Sequence, residues 1–113
     1  MVLVLSILNA LAALSSASFG VVALLNPQSL SQSQGKENPF FSWMYAARTI
    51  PLGLFVAIVP FLRHGSVVAL ILSLAALVQL VDAGIGIQQR NVRMTLGALV
   101  AAVIHIVCGL ALL

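Results

Sequence analysis

Two charged residues lie inside long apolar stretches of the sequence and are the first candidates for chemistry. Arg48 lies in the apolar run 40–62, and Asp82 lies in the segment VQLVDAG at 78–84. A guanidinium keeps its proton in proteins, and insertion scales give an arginine at the centre of a membrane helix a cost of about 2.5–3.5 kcal/mol. Opposite charges attract strongly in a low dielectric, and a guanidinium can hold a carboxylate with two hydrogen bonds. We therefore expect the two residues to face each other and to mark a site; the alternative is an ion pair that only fixes helix register.

Polar side chains close to this pair in the sequence extend the candidate site. Tyr45 lies about one helical turn before Arg48, and Thr49 directly follows it. Gln79 shares a helix face with Asp82, three residues later. Its amide either orients the carboxylate, contacts a ligand or forms a hydrogen bond between helices, as is common in membrane bundles.

A histidine stands alone in the last apolar run. His105 is either a structural hydrogen-bond donor or a group that gives or takes a proton, because imidazole ordinarily titrates near neutral pH. Cys108 is predicted to fill space in the core rather than to act as a nucleophile. Asn9 is interpreted as a polar contact between helices. The predicted substrate-binding residues are Gln79, Thr49, Ser15, Ser18 and Trp43.

The composition indicates a membrane protein. Of the 113 residues, 62% are hydrophobic and 6% are charged, which is more apolar surface than a soluble domain of this size can hide. The net charge of +3 comes from so few groups that no basic stripe for nucleic acid is expected. One cysteine excludes an internal disulfide, and two histidines form no recognisable metal-ligand pattern. We therefore predict no nucleic acid partner, no metal and no cofactor.

Four apolar runs cover most of the chain, at about 2–25, 40–62, 67–87 and 94–113. Each is close to the roughly 20 residues that a helix needs to cross the hydrocarbon, where unpaired backbone groups are costly. The fold prediction is an all-α membrane protein, a four-helix transmembrane bundle in a single domain over 1–113. Buried helices of a soluble core are the alternative. The first run has the small residues of a signal peptide but lacks its basic start, so it is interpreted as a span.

The joints between the runs are polar. The segment 26–39 is long and of low complexity, and is interpreted as a solvated connector rather than a lid. The joints at 63–66 and 88–93 are short. These three joints are loops one, two and three. Loops one and three together carry three basic residues, whereas loop two carries only Arg63. The positive-inside rule therefore places loops one and three in the cytoplasm and both termini on the other side.

The polar residues of the four spans lie at similar depths. With a rise of about 1.5 Å per residue, Arg48 lies about 12 Å below loop one, and Asp82 lies about 9 Å below loop three. The same count gives about 13 Å for Gln79, about 16 Å for His105 and about 10–16 Å for the two serines. A polar layer between apolar walls suits a lipophilic substrate with a few polar groups. Pro51 removes the amide that would bond to the carbonyl of Ala47, so a kink beside Arg48 is also expected.

The motifs ARTIPLG at 47–53 and QLVDA at 79–83 carry a family resemblance. With them the chain resembles a family of small four-span membrane proteins of unassigned function, found in fungi and bacteria and near the DoxX-like group. Some fungal relatives of this kind occur among natural-product biosynthesis proteins. The resemblance implies work on lipophilic terpenoid or polyketide intermediates, and a place in the endoplasmic reticulum if the source is a fungus. No catalytic residues carry over from it.

The predicted function is a cofactor-independent membrane cyclase or isomerase acting on such an intermediate. Arg48 would hold or polarise a carbonyl or carboxylate of the substrate, and Asp82 would orient Arg48 or act as a base. His105 and Tyr45 would be the proton donors, and Gln79 would position the substrate. The predicted catalytic residues are therefore Arg48, Asp82, His105 and Tyr45.

A second function belongs to a different class. The chain would then be a non-catalytic scaffold or interaction subunit whose Arg–Asp pair is structural. Ion conduction is disfavoured, because no ring of polar residues lines a pore. Helix faces rich in glycine and alanine predict a homo-oligomer, and the other expected partners are membrane lipid and a lipophilic small molecule.

Overall fold

The computed structural model describes residues 2–26 and 40–113. These residues form four helices, α1 (Val2–Leu25), α2 (Phe40–Leu62), α3 (Ser66–Gln88) and α4 (Val92–Leu112). The predicted all-α four-helix bundle is confirmed, and the span bounds differ from the predicted ones by at most two residues. Most of the joint at 26–39, with its interpretation as a connector, lies outside the described residues.

The outer surface of the bundle is suited to lipid. All four helices are long and apolar enough to span a membrane. The molecule measures 44 × 21 × 19 Å, and its long axis matches the roughly 40–45 Å of a bilayer with its headgroups. Each helix turns large apolar side chains outwards, among them Leu11, Phe55, Leu77 and Val103, which are 52–60% exposed. The chain is thus a multi-pass membrane protein.

Short polar segments end the helices and join them. Asn91 precedes α4, and its side chain accepts a hydrogen bond from the backbone N–H of Met94 at 3.1 Å. This cap explains why α4 begins two residues before the predicted start. Gly65 precedes α3 with φ 111°, a conformation that suits glycine. Its N–H donates to the carbonyl of Leu112 at 2.9 Å and so joins loop two to the end of α4.

The two prolines of α2 lie within a continuous helix. Pro51 is exposed and Pro60 is buried, and the helix continues from Phe40 to Leu62 through both. The lost backbone hydrogen bonds therefore do not end the helix. Membrane helices tolerate proline in this way when neighbouring groups satisfy the freed carbonyls.

The helices pack as two close pairs. α1 lies along α2 and α3 lies along α4, while α1 also contacts α4; α2 and α3 form the loosest of these four neighbouring pairs. Small residues allow the close approach, as the predicted small-residue faces required. A Cβ placed on Gly53 of α2 would lie 2.8 Å from the Ala13 carbonyl oxygen of α1. Cys108 is fully buried among Leu72 and other apolar residues, which confirms its role in the core.

We expect Gly53→Ala to destabilise the bundle, because the added Cβ meets a backbone oxygen that moves only if α1 moves. Overpacking of this kind costs about 1–3 kcal/mol, more than the gain of about 1 kcal/mol in helix propensity. Gly84→Ala is the matched control, since no atom lies within 4 Å of its new Cβ. Thermal unfolding in detergent should give a lower midpoint for Gly53→Ala than for Gly84→Ala. Equal midpoints would contradict this packing.

Candidate functional site

An ion pair joins α2 to α3. Arg48 Nη2 donates to Asp82 Oδ1 at 2.8 Å, as the sequence predicted. The Asp82 side chain is 3% exposed, while that of Arg48 is 38% exposed. The carboxylate is therefore enclosed by protein, whereas the guanidinium has further N–H groups on the open side of the pair.

Tyr45 packs against the same guanidinium. The Arg48 Cζ lies 5.5 Å from the centre of the Tyr45 ring, within the range of a cation–π interaction. Tyr45 is 6% exposed. The one-turn spacing of the two residues on α2 produces this contact, and the ring face offsets part of the cost of a cation among apolar side chains.

A second polar contact joins α3 to α1. Gln79 Nε2 donates to Ser16 Oγ at 2.9 Å, which confirms the hydrogen bond between helices that was one of its three predicted roles. Ser16 was not predicted as a site residue. It follows Asn9 and Ala13 at the spacing of three and four residues that marks the buried face of α1, and this spacing is the signal that would have identified it.

Of the two serines that were predicted, one lies beside the site and the other does not. Ser15 is exposed and lines a groove described below. Ser18 is also exposed, and its hydroxyl donates to the Leu14 carbonyl of its own helix at 2.9 Å. Trp43 is 51% exposed on the outer surface of α2. The structure therefore does not bring Ser18 and Trp43 to the site, because both lie on the outer side of their helices.

His105 is held by Asn9. Its Nδ1 lies 2.6 Å from Asn9 Oδ1, and Asn9 Nδ2 donates to the carbonyl of Val56 at 2.9 Å. This carbonyl accepts only, so the amide group of Asn9 must turn its own oxygen towards the histidine. A neutral His105 therefore carries its proton on Nδ1 and leaves Nε2 as an acceptor. The contact also confirms Asn9 as a polar link between α1 and both α2 and α4.

A small cavity lies where the four helices meet. Its volume is about 10 Å³, counted as the space open to the centre of a water molecule. Five polar residues line it, one or two from each helix: Ser16, Thr49, Gln79, Asp82 and His105. Polar groups from all four spans thus converge here, but the residue from α1 is Ser16 and not the predicted Ser15 or Ser18. Thr49, which is 4% exposed, belongs to this cavity.

A larger groove runs between α1 and α4. Its volume is about 470 Å³, and Tyr45 and Gln79 reach it from the other two helices. Its walls are apolar, and exposed residues such as Leu11 and Val100 at its edge show that it opens to the outer surface. Ser15, Ser16, Tyr45 and Gln79 supply the polar part of its lining. A lipophilic molecule can therefore enter from the bilayer and reach the polar residues sideways.

The groups at this site are those of proton transfer and hydrogen bonding. Within residues 2–26 and 40–113 no three side chains of His, Cys, Asp or Glu converge as metal ligands would. The available chemistry comes from a guanidinium with free donors, a buried carboxylate, a phenol and an imidazole with one free acceptor.

Comparison with known proteins gives one match. A family described as a domain of unknown function (DUF4267) matches residues 5–113 of the chain. No curated protein and no solved structure matches it. The match includes the residues of the ion pair, the cavity and the groove. The description of the family names no activity.

We expect Arg48→Met to destabilise the bundle more than Asp82→Asn does. The first variant leaves a carboxylate that is 3% exposed without its partner, whereas Arg48 in the second variant is 38% exposed and can move towards water. The expected loss for Arg48→Met is about 2–3 kcal/mol, below the range for fully buried pairs. Arg63→Met, at an exposed loop position, is the control.

The double variant Arg48→Met/Asp82→Asn completes this test. Because it removes both charges, we expect it to recover most of the stability lost in Arg48→Met. Denaturation in detergent micelles measures the wild type, the two single variants, the double variant and the Arg63→Met control. A double variant less stable than Arg48→Met would show that the pair is not the source of the effect.

Proposed function

Because the chain belongs to this family, whose description names no activity, we propose its function from the site itself. The proposal is a small integral membrane enzyme that cyclises or isomerises a lipophilic terpenoid or polyketide intermediate. Substrate and product would be isomers, so the reaction needs no oxidant, reductant or group donor. It needs only groups that move protons and stabilise charge.

The observation that carries the proposal is the groove between α1 and α4. A volume of about 470 Å³ lies within the range of small-molecule sites. Its apolar walls suit the hydrocarbon part of an intermediate. Its polar residues suit one or two oxygen atoms, and these are Ser15, Ser16, Tyr45 and Gln79. A site that opens sideways also receives a substrate already dissolved in the membrane.

The roles proposed for the polar residues follow from their contacts. Arg48 packs against Tyr45, which lines the groove, and its free N–H groups would bind a substrate carbonyl and stabilise the negative charge that develops as bonds rearrange. Asp82 would hold Arg48 in place. The Tyr45 hydroxyl would give a proton, and Nε2 of His105 would take one, since Asn9 fixes the proton of the neutral ring on Nδ1. His105 is thus proposed as a base rather than as the donor expected from the sequence.

A scaffold function remains the second candidate, and one observation favours it. Arg48, Gln79 and His105 each already have a partner on another helix. Such contacts can fix the helix arrangement without any catalysis. On this alternative, Arg48→Ala would lower protein level and activity in parallel, and the purified protein would show no turnover.

We also propose that the chain forms a homo-oligomer in the membrane. The exposed faces include small residues such as Ser73 and Gly84, where two helices can approach closely. Cross-linking in mild detergent is expected to give a discrete species above the monomer. A sample that yields only monomer at all concentrations would contradict this proposal.

Deletion of the gene tests the enzyme proposal. The deletion strain is expected to accumulate an isomer of its normal lipophilic metabolite, and microsomes that carry the wild-type protein should convert that isomer. Arg48→Ala and His105→Ala microsomes, compared at equal protein level, should be at least about tenfold slower, as expected for a lost charge-stabilising or proton-transfer group. Equal rates would remove both residues from the mechanism.

A variant of the groove tests the location of the site. Gly97→Leu is expected to block substrate entry, because Gly97 lines the groove and a Cβ there meets only Phe19, at 3.6 Å. The larger side chain therefore extends into the groove rather than into the core. Val103→Leu, on the lipid-facing side of α4 and 60% exposed, is the control. A Gly97→Leu protein that folds normally and keeps the full rate would place the site elsewhere.

A further inference from the structure

The hydroxyl of Thr49 is an exception among the helix hydroxyls. Ser18, Ser73 and Thr95 each donate to the carbonyl four residues earlier, at 2.8–3.0 Å. Thr49 is 4% exposed, and its Oγ1 has no hydrogen-bond partner within the described part of the chain. The Tyr45 hydroxyl, one turn earlier, lies near enough to be the alternative partner of Thr49, but the two do not meet hydrogen-bond geometry. A buried hydroxyl without a partner leaves its desolvation cost uncompensated.

Helix packing fixes the orientation of this side chain. A Cβ placed on Gly20 of α1 would lie 3.3 Å from Thr49 Cβ and 3.5 Å from its methyl group. The methyl group therefore packs on α1, where only glycine leaves room for it. Because the methyl is held there, the side chain cannot rotate freely to bring the hydroxyl to its own helix backbone.

The central cavity lies beside Thr49. Its volume of about 10 Å³ is close to the roughly 10–15 Å³ that one water molecule needs by the same measure. A buried water also needs two to four polar partners. Thr49 lines the cavity together with Ser16, Gln79, Asp82 and His105, so this requirement is met, whereas an apolar cavity of the same size would stay dry.

We propose that one water molecule binds in this cavity, with the hydroxyl of Thr49 as one of its ligands and with Asp82 and His105 within its reach. The site holds a single water and not a hydrated ion, because the volume admits no second molecule. A metal cation is also disfavoured, since the carboxylate of Asp82 is already neutralised by Arg48.

The water has a chemical consequence, which rests on the proposed function. It gives one proton to Nε2 of His105 and takes another from the substrate, so that the water itself is regenerated. His105 can then act as a base although its other nitrogen is held by Asn9. Thr49 is a positioning residue in this relay, since it acts through the water.

Nuclear magnetic resonance of the isotope-labelled protein in micelles, without substrate, tests the water site. Cross-relaxation with a long-lived water is expected at the Thr49 amide and at the His105 ring in the wild type. It should persist in Thr49→Ser, which keeps the hydroxyl, and disappear in Thr49→Val, which keeps the shape. The exposed His64 gives the signal of freely exchanging water as the internal control. A wild type without the long-lived water, or a Thr49→Val protein that retains it, overturns the proposal.

Stability measurements separate the water from the remaining alternative, a direct bond to Tyr45. Loss of the bridged hydroxyl should lower the melting midpoint of Thr49→Val by about 4 °C, and the loss should be as large in a Tyr45→Phe background. A loss that vanishes in that background assigns the hydroxyl to Tyr45 and overturns the water site. In the microsome assay, a Thr49→Val protein that lacks the water but keeps the wild-type rate overturns the relay. The water site itself is decided separately, by the cross-relaxation measurement.

Discussion

The ion pair between Arg48 and Asp82 is the constraint on which the arrangement of the helices depends. The carboxylate is 3% exposed, so bulk water does not solvate it and it needs the guanidinium as its partner. The pair joins α2 to α3, the loosest of the neighbouring helix pairs. A charge therefore fixes the relative position of these two helices where side-chain packing does not. The partial exposure of Arg48 leaves donors for a ligand, so one interaction can serve both structure and binding.

The neutral polar groups follow the same rule at lower cost. Gln79 is bonded to Ser16, and Asn9 is bonded to both His105 and the carbonyl of Val56. Each contact joins α1 to another helix, in a bundle whose interior is too narrow to specify register by packing alone. Asn9 does more than join helices. Its amide geometry decides which nitrogen of a neutral His105 is free, and so changes the expected role of the histidine from donor to acceptor.

The sequence predicted which segments span the membrane and how deep their polar residues lie. It did not predict which side of a helix each residue faces. The four helices and the Arg48–Asp82 pair followed from the cost of unpaired polar groups in hydrocarbon. Depth alone could not separate Ser18, which faces outwards, from Ser16, which faces Gln79. Trp43 likewise faces outwards from its helix. The groove and the cavity were not predictable, because they depend on the distances between helices and not on any one of them.

The membrane setting also decides how this groove can select a ligand. Transfer of a lipophilic molecule from water to an apolar groove lowers its free energy. Transfer from lipid does not, because lipid chains are as apolar as the groove walls. A substrate that displaces a lipid chain therefore gains little from the walls of α1 and α4. Selectivity must come from the polar part of the lining. Tyr45, Gln79 and Ser16 can form hydrogen bonds with a substrate there, whereas a lipid chain has no donor or acceptor to form them. The few polar residues thus carry the recognition in a site whose lining is mostly apolar.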